Sequence, residues 1–314
     1  MQEVHIIADG IRGGEGPVAL GDGSVLVCEM AEGRLTRVLP NGNKVVVAVT
    51  GGTPNGAAIG PDGRCYVCNR GPSRWHEAHG FLLPLQDDEP GADGLWGSIQ
   101  RVDIDSGKVE TLYEHAGEFR LRGPNDIVFD AHGGFWFTDF GRFRPREIDR
   151  GSVCYAKADG SFMREVISPM LGPNGIGLSP DGCWLYVAES FSAHLYKFEL
   201  IGPGEIKPAQ SPLPGPGGYF VGGPGGFAFF DSLAVDSEGY VVVATPGSGM
   251  LSILSERQES KIDQVPMPDP APTNICFGGK DLRTAYVTLM ATGRLVALEW
   301  PRPGLRLNYQ PDCT

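Results

Sequence analysis

Apolar residues in this chain come in short alternating runs, each closed by Gly, Pro, Asn or Asp, and one such phrase returns six times. A polar residue and a small one open it, an apolar run follows, then a D-G turn or its equivalent, then a run rich in β-branched and aromatic residues. The copies are EGPVALGDGSVLVCE from Glu15, NGAAIGPDGRCYVCN from Asn55, NDIVFDAHGGFWFTD from Asn125, NGIGLSPDGCWLYVAE from Asn174, DSLAVDSEGYVVVAT from Asp231 and NICFGGKDLRTAYVT from Asn274. Period-two runs bounded by turn residues predict strands joined by tight hairpins. After each copy a small residue opens a third run, as in GRLTRVLPNG or GSVCYAKADG, and a weaker fourth follows, as in KVVVAVT.

Each repeat therefore predicts four antiparallel strands. The lead residues stand 40, 70, 49, 57 and 43 positions apart, the size of a propeller blade with loops of varying length. The expected fold is all-β: a six-bladed β-propeller of four-stranded antiparallel blades, with residues 1–314 forming one domain. EVHIIAD at 3–9 precedes Glu15 as KVVVAVT precedes Asn55, so it is expected as the outer strand of the last blade, closing the ring. LRLNYQ at 305–310 competes for that place. Two tandem β-sandwiches are the alternative, but sandwiches do not require one phrase six times.

Composition sharpens the picture in three ways. The 46 glycines and 26 prolines among 314 residues, nearly twice their usual share of about 12%, exclude a mostly helical protein. The net charge of −12 repels phosphate backbones and anionic lipid; nucleic acid and membrane are not expected partners, and a small molecule is. No apolar run approaches the ~20 residues of a membrane span, and MQEVHIIADGIRGGEG lacks a basic stretch followed by a long apolar one. Seven scattered cysteines, mostly inside apolar runs, suit reduced thiols and a cytoplasmic protein. The nominal CxxC at Cys65 and Cys68 would point to opposite faces of a strand.

In a propeller the innermost strands line a central channel, and the lead residues precede those strands. Glu15, Asn55, Asn125, Asn174, Asp231 and Asn274 are thus expected in a ring at one mouth. All offer oxygen, and carboxylates with amides match calcium's preference for hard donors. The absence of His and Cys argues against zinc or copper. Asn and Asp are also ordinary turn formers, but Glu15 is not.

These residues resemble the SMP-30/gluconolactonase/luciferin-regenerating-enzyme family over nearly the whole chain, most specifically in E15-G-P-V, G-P-N125-D before GGFWFTD, P-N174-G before LSPDG, and D231 before LAVD. The resemblance implies a six-bladed propeller with one catalytic divalent cation, Ca²⁺ first, with Mn²⁺, Zn²⁺ or Mg²⁺ as alternatives, and hydrolysis of a lactone. By position it implies Glu15, Asn174 and Asp231 as metal ligands. It implies Asn125 as the residue holding substrate or a metal-bound water, with direct ligation left open. The family's Asp-Gly at the fourth site is Asp231-Ser232 here, which puts strict gluconolactone specificity in question.

The expected chemistry is carbonyl polarisation by the metal and attack by water, with Asp231 and Asn125 catalytic and with Asn55 and Arg122 beside substrate. Arg70, Arg120 and Arg142 also lie near strand ends, but Arg122 stands three residues before Asn125. Insertions at 74–96 and 202–230 are expected to shape the pocket, the second through Tyr219, Phe220, Phe227, Phe229 and Phe230. His76-Glu77-Ala78-His79 has the wrong spacing for a zinc protease, the GxGxxA at 223–228 has no βαβ unit around it, and there is no G-x-S-x-G elbow. Phosphotriester hydrolysis is the competing enzyme reading. A non-catalytic binding propeller is the other class, and paired carboxylates at the channel mouth argue against it.

Overall fold

The computed structural model describes residues 3–85, 96–144, 146–208, 215–255 and 262–312. Six antiparallel sheets stand in a ring, with no α-helix among the described residues and a single 3-10 turn at Met30–Glu32. Blade 1 runs Gly14–Ala19, Val25–Glu29, Arg34–Val38, Lys44–Val49 from the channel outward, and blade 3 runs Pro124–Phe129, Gly134–Asp139, Gly151–Lys157, Met163–Met170. Blades 2, 4 and 5 have inner strands Pro54–Ile59, Pro173–Leu178 and Leu233–Val235. Blade 6 consists of Pro272–Gly278, Thr284–Leu289, Arg294–Glu299 and, as its outer strand, His5–Asp9 from the other end of the chain. The N-terminal segment therefore closes the ring by pairing with the third strand of the last blade.

Buried apolar residues of successive blades form the core. Phe129, Phe135, Phe137 and Tyr66 pack between blades 2 and 3, and Ile275, Val287, Val242 and Leu251 between blades 5 and 6. Cys65 and Cys68 do face opposite sides of their strand, one packing with Leu26 and Cys28, the other with Ile99 and Phe135. Burial pushes the Cys65 thiol up to about 12, so it remains protonated and unreactive at neutral pH.

The competing segment at 305–310 has another task. It crosses the channel on the face opposite the lead residues. Leu305 N–H donates to Val235 O at 2.9 Å, Asn308 Nδ2 to Phe129 O at 2.9 Å and Gln310 Nε2 to Phe277 O at 2.9 Å. Below the lead residues lies an apolar cavity lined by Val18, Ala57, Ile127, Ile176, Leu233 and Ile275, with Leu305 and Leu307 among its floor residues.

The 202–230 insertion is more than a loop. Its Tyr219–Gly222 stretch pairs with His194–Gly202 as the outer strand of blade 4. Tyr219 and Phe220 thereby go to the blade edge, half-exposed against Trp184 and His194 respectively, rather than to the channel mouth. The first insertion forms a hairpin, Trp75–Ala78 with Phe81–Pro84, and its 86–95 portion lies outside the described residues. His76 and Glu77 sit exposed on that hairpin, and Glu77 pairs with Arg12 at 3.0 Å.

Candidate active site

Five of the six inner strands carry one extra residue near their start, seen as register slips between Glu15 and Val18, Pro54 and Ala57, Pro124 and Ile127, Pro173 and Ile176, and Pro272 and Asn274. Such bulges re-aim side chains, and each contains or adjoins a lead residue. Glu15, Asn55, Asn125, Asn174 and Asn274 are all buried, and Asp231 is half-buried just ahead of its strand. Neighbouring blades nearly touch here. A Cβ on Gly56 would lie 2.5 Å from Asn125 O, and one on Gly175 would lie 2.7 Å from Asp231 O. Gly16, Gly56 and Gly175, after three of the lead residues, let those neighbouring blades approach this closely.

A second residue holds each lead residue in place in four of the blades. The last residue of the second strand reaches back to the backbone just before it. Glu29 accepts from Arg12 N–H at 3.1 Å, Asn69 Oδ1 from Thr53 N–H at 3.0 Å, Asp139 from the N–H groups of Arg122 and Gly123 at 2.9 and 2.5 Å, and Glu189 from Leu171 N–H at 2.6 Å. The opening and closing residues of the repeated phrase are thus one structural unit.

Within the ring, polar contacts are incomplete. Asn274 donates to Glu15 Oε2 at 3.0 Å while its own Oδ1 accepts from Ile275 N–H at 2.7 Å, so it orients Glu15 and is itself satisfied. Asn174 donates to Ser190 Oγ at 3.1 Å, and Ser190 in turn to Phe230 O at 2.5 Å. The buried Oδ1 atoms of Asn55 and Asn125 have no hydrogen-bond partner among the described residues. Burial, reinforced by the charges of Asp231 and Asp126, raises Glu15 well above the usual carboxylate range. Burial likewise raises Asp231 to about 7, opposed by its hydrogen bond from Asn174 and by the Arg70 charge.

Sequence reasoning missed Asp126. Strict alternation would turn it away from Asn125, but the bulge leaves both buried at the channel. Its Oδ1 accepts from Ile127 N–H at 3.0 Å, and burial raises it to about 7 against the help of the Ile127 and Ile176 N–H groups and the Ser232 hydroxyl. That places the departure from Asp-Gly: Ser232 is fully buried, its hydroxyl 3.5 Å from Asn174 Oδ1 and serving Asp126. It braces the ring from within.

Arg122 lies outside the ring. Its guanidinium sits 4.9 Å from the Trp96 ring centroid and 3.9 Å from Asp149, with the side chain nearly half exposed. Arg70 is the cation whose charge reaches Asp231. It is buried over the Phe140 ring at 5.0 Å, and Arg142 donates to its backbone carbonyl at 2.5 Å. The signal was its place directly after Asn69, at the mouth end of a second strand.

The donor set fits a hard divalent cation. The carboxylates of Glu15, Asp126 and Asp231 repel one another and two amide oxygens lack donors among the described residues, which is the deficit that an oxygen-seeking ion repairs. Among the described residues no group of three His, Cys, Asp or Glu side chains is set to hold a metal, so amides must complete any shell here.

A ring of oxygen donors in a six-bladed propeller defines the class, and comparison defines the family. The chain belongs to the SMP-30/gluconolactonase/LRE-like family, whose pattern matches residues 13–291. It is 30% identical over 250 residues to lactonase drp35 of Staphylococcus saprophyticus, covering 78% of this chain and 67% of the relative. It is 28% identical to 6-deoxy-6-sulfogluconolactonase of Pseudomonas putida, covering 71% and 87% respectively. A calcium-binding protein, regucalcin, from Agrobacterium tumefaciens shares the fold at a TM-score of 0.73 and 18% identity, over 100% of this chain and 98% of that one.

Proposed function

We propose that the protein is a metal-dependent hydrolase that opens a small-molecule lactone. The observation that carries this is the buried ring itself: Glu15 and Asp231 set among amides, with the Oδ1 atoms of Asn55 and Asn125 unpartnered among the described residues. Membership of a family with lactonases among its relatives supports the reaction class.

In this reading Glu15, Asn174 and Asp231 hold one divalent cation, calcium first. The all-oxygen donor set disfavours zinc, and calcium tolerates an irregular shell of carboxylates and amides better than magnesium does, with manganese a further alternative. When bound, the cation supplies Lewis-acid polarisation of the lactone carbonyl. Asp231 takes a proton from the water that adds to the carbonyl carbon. The ring C–O bond then breaks and the proton passes to the departing oxygen, giving a hydroxy acid. Asn125 presents its free Oδ1 toward the reacting groups. Asn274 keeps Glu15 in place, and the Arg70 charge helps keep Asp231 ionised. Arg122, on the rim beside Trp96, is read as a contact to the outer part of the substrate.

The acidic surface favours a small molecule as partner over nucleic acid or a membrane, and no helix among the described residues is long and apolar enough to span one. Free buried thiols at Cys28, Cys65, Cys68 and Cys154 favour a reducing, cytoplasmic setting. The test is turnover of a lactone panel and a phosphotriester after exhaustive chelation, then with Ca²⁺, Mn²⁺, Zn²⁺ or Mg²⁺ restored. Lactone opening that disappears with metal and returns with it is the expected result. Metal-insensitive activity defeats the mechanism, and preference for the phosphotriester defeats the reaction class.

A further inference from the structure

Three hydrocarbon surfaces stand around the mouth of the ring. On the side of blades 3 and 4, Phe143 stacks on Phe191 (centroids 5.4 Å, planes 22° apart), Phe191 meets Phe140 at 5.4 Å, and Phe140 lies beneath the Arg70 guanidinium. This ladder reaches the site. A Cβ on Gly172, two residues before Asn174, would lie 2.8 Å from Phe191 and 3.1 Å from Phe140, and Phe191 follows Ser190, the partner of Asn174. On the side of blade 5, Phe227 and Phe229 meet edge-on at 5.2 Å, four and two residues ahead of Asp231, and Phe227 is 80% exposed. On the side of blades 1 and 6, Trp75 of the hairpin packs on Met30, Ala271 and Met290, and Met30 Sδ lies 3.9 Å from Asn55 Nδ2.

We infer that the substrate carries its reacting ester on an apolar skeleton, aromatic-fused or alkyl-bearing, and not on a polyol. This rests on the lactone-hydrolase reading above. Flat rings gain most from contact with hydrocarbon of matching shape. A polyol brought against the same walls leaves hydroxyls without partners, and unpaired polar groups are what sites reject most strongly. The buried ring takes the carbonyl end, and the Phe191 and Phe227 walls take the rest.

The experiment compares kcat/KM on a benzo-fused six-membered lactone, unsubstituted δ-valerolactone and glucono-δ-lactone, for the wild type and for Phe191→Ala and Phe227→Ala. The expected result is a preference of roughly tenfold or more for the benzo-fused ring over the polyol, with each variant lowering the benzo-fused to valerolactone ratio by roughly tenfold. Phe227→Ala removes a side chain that is almost entirely exposed, so it keeps the test intact if Phe191→Ala fails to fold. Equal or better turnover of the polyol overturns the inference, as does a ratio that neither variant moves. Calorimetric binding of the benzo-fused and polyhydroxylated lactams separates the two readings. Apolar preference in binding without opening of any lactone sinks the hydrolase and keeps the subsite. Opening of lactones with polyol preference sinks the subsite and keeps the hydrolase, and binding of neither lactam without turnover sinks both.

Discussion

Glu29 and Glu15 are both buried, yet donors fill both oxygens of the first, while among the described residues the second accepts only from Gly16 N–H and Asn274 Nδ2, both on Oε2 at 3.0 Å. Glu29 takes both nitrogens of the Arg34 fork at 3.0 and 3.1 Å, the Thr36 hydroxyl at 2.6 Å and the Arg12 N–H. Burial opposes its ionisation, but Arg34 and Thr36 overcome burial and hold it below the usual range. For Glu15 burial wins, and the neighbouring Asp231 and Asp126 add to it. The comparison teaches how to read a buried acid. One that closes a strand end with its lone pairs filled is scaffold, and one left short of donors beside other acids is prepared for a ligand.

The largest effect expected from that contrast is in the ring. Asp231→Asn should lower kcat by roughly 10²–10⁴, the usual contribution of a positioned base, while the chelated protein melts no lower than the wild type. Removing a mutually repelling carboxylate relieves the fold. Activity assays paired with scanning calorimetry in chelator check both halves. A large drop in melting temperature would place Asp231 with the scaffold acids and break the distinction.

The scaffold acids should respond the other way round. Asp139→Ala leaves the Arg122 and Gly123 N–H groups unpaired in a buried turn, a loss of about 1–3 kcal/mol readable by urea denaturation. Because that turn leads directly into Asn125, kcat should fall as well, and KM less. An unchanged unfolding midpoint would show that Asp139 does not hold the turn.

Glu29 gives the comparison a pH axis. Its folded pKa is depressed, so its contribution is fully present above the ordinary carboxylate range and is lost as pH falls through the folded value. The melting temperature of the wild type should therefore decline on the acid side, and Glu29→Gln should flatten that decline while lowering stability near neutrality. Parallel melting curves carried from pH 7 to well below the ordinary carboxylate range, about pH 2.5, decide it.

How much of this was legible beforehand follows the repeat. The phrase that opens on Glu15, Asn55, Asn125, Asn174, Asp231 and Asn274 carries both the fold and the ring, because each copy combines a period-two pattern with a polar residue at one fixed place. The same phrase ends in Glu29, Asn69, Asp139 and Glu189, yet their task could not be read from it, since their partners lie some 16–18 residues back along the chain. Asp126 was hidden by the bulge, which suspends the alternation on which facing is judged. Arg70 and Arg122 looked alike in sequence because each stands at the end of a repeat strand or just before a lead residue. Packing separates them: Phe140 and the backbone hold held by Arg142 bury the first, and Trp96 keeps the second on the rim.

The smallest effect belongs to the far end of the channel. The floor is made by neutral amides whose bonds run to strand carbonyls, Asn308 to Phe129 and Gln310 to Phe277, with Tyr309 edge-on to Phe129 at 5.8 Å. Apolar side chains of the inner strands separate this floor from the carboxylates. By the rule drawn from Glu29 and Glu15, satisfied polar groups at this distance are scaffold. Asn308→Ala should cost about 1 kcal/mol, the net worth of one hydrogen bond, and leave kcat/KM and metal affinity as they were. A change in metal affinity would mean that the floor and the ring are coupled through the cavity, and that a filled set of lone pairs is not enough to mark a group as scaffold.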